Sequence, residues 1–265
     1  MAREDPAGRR PLSVPRGVPA LLAFVAGYVD SCTFLAFSGL FVAQLTGSFV
    51  TAGSEFVVSN DGFLIKVLAI PTFFAAGMVT TVIVRALGVA DWRALVTTLA
   101  LEACLLVGIT WVGWSAAPTS AAWSHATSVA ALFGLAAMGV QSALARLLLS
   151  EYASTNVMTT NTTQLSIDVT DVMLARRRDR HATPGTEGAA TAHARLSKLA
   201  PIMLGFLAGT IAGGLAYASA GMLCLTVAIG IVAALTIWAA RCQARARLAL
   251  PCWRRSRPRR AAGWW

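Results

Sequence analysis

Charge is what this chain has least of. Asp, Glu, Lys and Arg make up 13% of its 265 residues, where soluble domains carry roughly 25%. Hydrophobic residues make up 56%, and the mean hydropathy is +0.64. That balance excludes an ordinary soluble domain, and it excludes disorder for most of the length. Cysteine is scarce as well: the five present are odd in number and form no C-x-x-C, so neither a disulfide framework nor a zinc site is expected. The three histidines, His125, His181 and His193, are too scattered for a metal-binding helix. No metal and no cofactor are expected. Enzyme signatures are missing too: there is no P-loop, H-E-x-x-H, G-x-S-x-G or Gly-rich dinucleotide loop. Ser31 and Ser142 have no histidine in an apolar segment to serve as base. An intramembrane aspartyl protease would need a second membrane aspartate beside Asp30. The chain does not read as an enzyme.

What is present is long apolar runs. Six stand out, at 18–41, 63–86, 94–114, 126–149, 199–219 and 221–239, each near the ~20 residues that a helix needs to cross a bilayer. The first follows Arg9, Arg10 and Arg16 as a signal peptide would, but continues to Phe41. That is longer than a signal-peptide apolar region of ~7–15 residues, so a retained first span is expected. The basic residues sort by loop. Of 22, four precede the first run, two lie between the second and third, six between the fourth and fifth, and eight after the sixth. The segments 42–62 and 115–125 hold none. By the positive-inside rule both termini are cytoplasmic, in a multi-pass membrane protein. The net charge of +10 is then a topology signal, and no nucleic-acid partner is needed to explain it.

This reading divides the chain into a basic N-terminus (1–17), a first three-span half (18–114), an external loop (115–125), a second three-span half (126–240) and a basic tail (241–265). The second half includes a long cytoplasmic connection, 150–198. Its polar tracts, Ser154-Thr155-Asn156 and Thr159 to Thr163, precede a basic Gly/Thr/Ala-rich stretch, 176–195, that reads as a flexible linker. The tail alternates arginine and tryptophan and reads as an anchor on anionic lipid at the cytoplasmic face.

An internal repeat is also visible. Gly27-Tyr-Val-Asp-Ser31 opens a helical run followed by Thr46-Gly-Ser48, and Gly139-Val-Gln-Ser-Ala143 opens another followed by Thr160-Asn-Thr162. The offsets are 112 and then 114 residues. The repeat splits six spans into three plus three, and an odd number of spans inverts the second half. Inverted repeats of this kind occur in secondary transporters, with the site where the halves meet near the midplane.

The segments G-Y-V-D-S-C-T-F-L at 27–35, G-L-F-V-A-Q-L-T-G-S at 39–48 and G-V-Q-S-A-L-A-R-L at 139–147 resemble the signatures of the bacterial YoaK family over roughly 18–240. The resemblance implies an all-α inner-membrane protein and supplies no substrate. The chain departs from the family pattern at Ser48, Ser142, Leu147 and Asn161.

Within the spans, two carboxylates lie deep. Asp30 is near the centre of the first, on a face with Gly27, Ser31, Phe34 and Ser38. A carboxylate there costs roughly 2.5–3.5 kcal/mol to insert, which makes function the default reading and a hydrogen bond between helices the bland one. Glu102 is central in the third span, one turn from Thr98; if it met Asp30, the two would favour sharing one proton. Gln141 and Ser142 are the repeat counterparts of Val29 and Asp30, expected as hydrogen-bonding groups. Arg146 reads as an arginine snorkelling to headgroups, and Asp168 and Asp171 as solvated. Thr46 and its neighbours read either as a re-entrant segment lining a cavity or as a surface turn. Gly205, Gly209 and Gly213 form a close-packing stripe, within the chain or between copies in a homo-oligomer. Pro71 predicts a kink in the second span.

The expected fold is therefore an all-α polytopic membrane protein of six helices in two inverted halves. Its expected role is a small secondary transporter or permease for an unknown solute or ion, with Asp30, Ser31, Thr46, Glu102, Gln141 and Ser142 at its site. The alternative is a non-transporting accessory or signalling protein.

Overall fold

Apolar runs without strand-like alternation give helices, and the computed structural model is helical throughout its described residues: 12, 14–58, 63–89, 91–116, 124–150, 152, 158–178 and 187–248. The helices are α1 (Gly17–Ala36), α2 (Leu45–Val58), α3 (Phe63–Leu87), α4 (Trp92–Ala116), α5 (His125–Leu148), α6 (Met158–Arg178) and α7 (Glu187–Ala220). A 3-10 turn (Gly221–Leu225) then leads into α8 (Thr226–Leu248). Helices α1, α3, α4 and α5 are each long and apolar enough to cross a membrane, as is the stretch Thr191–Leu248. That last stretch is divided between α7 and α8 by the turn, where Gly221 has φ of 56°, a conformation open to glycine and strained for other residues. Large apolar side chains such as Phe74, Val82, Trp111, Leu204 and Leu215 face outward, as suits a protein whose surroundings are lipid.

Three features differ from the sequence reading. The first apolar run does not stay helical to Phe41. It ends at Ala36, and the chain turns through Ser38 and Gly39, both at positive φ. A short helix, α2, then occupies part of what reads as an external loop. Its 14 residues span about 21 Å at 1.5 Å per residue, too short to cross the ~30 Å of a bilayer core. The connection 150–198 is also largely helical. It contains α6, and α7 begins at Glu187, so residues 187–195 of the expected linker are the first turns of a 34-residue helix. Ala189, Ala190, Ala192 and Ala194 account for that, alanine being the strongest helix former. Helix α3 continues through Pro71 without ending. The tract Ser154–Asn156, the linker segment 179–186, the loop residues 117–123, the N-terminal residues 1–11 and the tail from 249 onward lie outside the described residues.

Contacts between named residues give the helix directions. Gly205, Gly209 and Gly213 of α7 abut the carbonyls of Ala20, Phe24 and Tyr28 in that order, so α1 and α7 run parallel. Gln141 lies by Leu22 and Gly134 by Thr33, so α5 runs antiparallel to α1. Gly134 also touches Ile109, and Phe133 touches Gly108, which packs α4 against α5. Trp92 stacks edge-on against Trp238, while Gly113 meets Met222; α8 is antiparallel to α4. Helix α3 packs along α5, with Phe73 and Ala76 against Gly139. Helix α2 leans on α3 and α6 on α7. The core between them holds Leu22, Tyr28, Leu95, Leu99, Leu106, Leu135 and Met138, all almost fully buried.

Candidate functional site

Asp30 sits in the last two turns of α1 and is 3% exposed. Where α1 ends, the chain doubles back and brings two consecutive backbone amides onto the carboxylate. Val42 and Ala43 each donate an N–H to Asp30 Oδ1, both at 2.8 Å. These bonds to a buried carboxylate satisfy two amides that precede α2 and have no helical partner of their own. Oδ2 has no hydrogen-bond partner among the described residues. Asp30 borders a 290 Å³ cavity together with Ser31, Phe34, Gln44, Thr210 and Gly214. One oxygen is thus held by the protein, and the cavity offers room beside the carboxylate.

The expected site residues do not gather around this cavity. Ser31 lines it. Thr46 stands exposed in the first turn of α2, and Gln44, two residues earlier, takes the place expected for it. Gln141 is fully buried and donates Nε2–H to the Leu22 carbonyl at 2.8 Å, tying α5 to α1 away from Asp30. Ser142 lines a different cavity, between α3 and α5, with Phe73, Met78, Val82, Gly139 and Arg146. Glu102 is fully buried, neither carboxylate oxygen is hydrogen-bonded among the described residues, and among those residues its helix α4 makes no packing contact with α1. Asp30 and Glu102 do not form a pair. Thr98, one turn from Glu102, gives its hydroxyl to the carbonyls of Ala94 and Leu95.

Polar pairs that composition alone does not single out fix α2 and α6. Lys66, 2% exposed, pairs with Glu55 at 2.5 Å and also donates to the Ser38 carbonyl at 3.2 Å, joining α3 to α2 and to the end of α1. Asp168 is not solvated, as its place in a polar tract suggests. It is fully buried and accepts from Arg195 Nη2 at 3.0 Å and from Gln164 at 2.9 Å, joining α6 to α7. The physical reason is the enclosure of this carboxylate between α6 and α7, where a cation and an amide offset the cost of its burial. At the other end of α7, Cys32 and Cys224 are free thiols with sulfurs 3.2 Å apart, and the Tyr28 hydroxyl donates to the Cys224 carbonyl at 2.9 Å. These bonds lock the 3-10 turn onto α1. The glycine stripe does what its spacing predicts: a Cβ at Gly205, Gly209 or Gly213 would collide with an α1 carbonyl oxygen, and one at Gly27 with that of Phe206.

Comparison with known proteins adds a family and no activity. The family described as "Protein of unknown function (DUF1275)" matches residues 18–238. No curated protein and no solved structure matches the chain. By the extent of that match the chain belongs to the DUF1275 family.

Proposed function

We propose that this DUF1275 member, close to the YoaK proteins in its motifs, is a small secondary transporter of the bacterial inner membrane, and that the Asp30 cavity is its cation- or proton-coupled site. The observation that carries the reading is a buried carboxylate beside a cavity: two amides hold Oδ1, Oδ2 has no hydrogen-bond partner among the described residues, and Asp30 borders a cavity large enough for a small solute. Ser31, Gln44 and Thr210 supply hydrogen-bonding groups around it. Glu102 is a second buried acid remote from this cavity, so the reading does not route a proton between the two.

Six crossings in two inverted halves accompany this proposal, and the packing supports that architecture in three ways. Gly27 sits on Phe206 of α7, and Gly139, its counterpart 112 residues on, sits on Phe73 of α3. Helices α2 and α6 are each joined to the helix that follows by an ion pair, Glu55 to Lys66 and Asp168 to Arg195. The repeat partners α1 and α5 run antiparallel, as inversion requires. Cytoplasmic termini then follow from the distribution of basic residues.

The test replaces charge and keeps shape. Asp30→Asn retains an oxygen for the amides of Val42 and Ala43, so the purified variant should melt like the wild type while losing pH-driven proton or cation uptake in liposomes. Equal uptake by the two proteins would reject the transport reading and favour an accessory or signalling role. Reporter fusions at Ser59 and Pro118 should report an external position, and fusions at Gly188 and Gly263 a cytoplasmic one; an internal signal at Ser59 would overturn the inverted halves.

A further inference from the structure

The second cavity has the same construction as the first and the opposite charge. It lies between α3 and α5, measures 530 Å³, and is bordered by Gly139, Ser142, Ala143 and Arg146 of α5. In the α1 cavity, Asp30, Ser31 and Phe34 occupy the positions 112 residues before Ser142, Ala143 and Arg146. Across each cavity stands the helix that its glycine abuts: α7 for Gly27 and α3 for Gly139. Where the first cavity presents a carboxylate, the second presents a guanidinium with no acidic partner among the described residues.

The rest of that cavity is apolar and faces outward. Phe74, Met78 and Val82 on its α3 side are 67%, 55% and 65% exposed, so this is a groove on the flank of the bundle and not an enclosed chamber. Gly77 widens it, since nothing lies within 4 Å of where its Cβ would be. Arg146 stands two residues before the end of α5, level with the zone where a membrane-facing arginine reaches headgroups. An occupant needs a hydrocarbon body to lie along Phe74, Met78 and Val82 and an anionic oxygen group at one end for the guanidinium.

We propose that the α3/α5 groove binds one anionic phospholipid, its acyl chain along α3 and its phosphate on Arg146. Charge complementarity selects the headgroup, because arginine meets phosphate with two parallel N–H donors. The apolar flank selects a lipid over a soluble anion. This site stands apart from the Asp30 cavity and does not depend on what that cavity transports.

The experiment is lipid retention by the delipidated full-length protein, read by native mass spectrometry with phosphatidylglycerol, phosphatidylcholine or inorganic phosphate added. Wild type should hold one phosphatidylglycerol about fivefold more tightly than phosphatidylcholine, the preference expected of one basic side chain at the headgroups. Arg146→Gln should lose that preference and Arg146→Lys should keep most of it. Gly77→Leu fills the groove while leaving every charge in place, and should weaken phosphatidylglycerol several-fold. Melting temperatures of the variants establish that each is folded. Undiminished binding by Gly77→Leu would mean that Arg146 only snorkels. Competition by inorganic phosphate would mean a small-anion site. Equal retention of the two lipids would mean no headgroup recognition, and any of the three results overturns the proposal.

Discussion

Along the α1/α7 seam four glycines, Gly27, Gly205, Gly209 and Gly213, bring two backbones closer than any Cβ allows, whereas along α3/α5 the one glycine so placed among the described residues is Gly139. The tight seam leaves a 290 Å³ cavity beside its last turns, and the looser one a 530 Å³ groove open to the side. Lipid tails are as apolar as leucine, so burial alone does little to hold membrane helices together, and close backbone contact does more. The difference teaches where each half of the molecule spends its stability. One seam is welded and carries a carboxylate held by amides. The other is held by side chains and carries a free-standing arginine.

The helix opposite each glycine is also tied down by an ion pair, and these pairs break the comparison most severely. Lys66→Met leaves Glu55 without its cation and should cost about 3–5 kcal/mol, the range for stranding one partner of a buried pair. Arg195→Gln should cost nearer ~1 kcal/mol, since Arg195 is half exposed and its partner keeps Gln164. Equal losses in thermal melts would erase the distinction. Next comes the weld. Gly209→Leu drives a side chain at the Phe24 carbonyl and should cost about 1–3 kcal/mol. Gly139→Leu should cost less, because Ala76 and Phe73 stand farther off, at 2.9 Å. An unchanged melting temperature for Gly209→Leu would mean that the seam does not bear the stability assigned to it.

Smaller effects sharpen the contrast. Asp30→Leu abandons the amides of Val42 and Ala43 and should cost about 1–3 kcal/mol, with Asp30→Asn well below it. If Asp30→Leu melted with wild type, the amide clamp would be ornamental. Gly214→Ala should fall within about 0.5 kcal/mol of wild type, since nothing lies within 4 Å of the added methyl. A large loss there would place the end of the seam elsewhere.

Much of the architecture was legible because it rests on signals that sequence carries directly. Apolar runs locate α3, α4 and α5 to within two residues at each end, a four-residue glycine spacing marks the weld, and a carboxylate among apolar residues marks Asp30. What was not legible depends on backbone and on distance along the chain. Leu35 and Phe41 are as apolar as the helix before them, so nothing in hydropathy announces that α1 stops at Ala36; the turn lives in the positive φ of Ser38 and Gly39. The donors to Asp30 are main-chain amides, which every sequence contains. Asp168 reads as solvated until Arg195, 27 residues on, is placed beside it. Cys32 and Cys224 are 192 residues apart, and no spacing rule brings them together. Thr46 was expected at the site from its repeat position, but it stands exposed in the first turn of α2, and Gln44, just before that helix, lines the cavity.

The weld between α1 and α7 also sets an order of events during synthesis. Helix α5 finds α3 already made when it emerges, whereas α1 is complete roughly 180 residues before the glycines that fit it exist. At about 5–20 residues per second, α1 spends on the order of 10–40 s with its carbonyl face uncovered and Asp30 lacking the full enclosure of the finished bundle. The first helix to be made is thus among the last to be seated, and a chain interrupted before Gly205 would carry six finished helices around a vacant place.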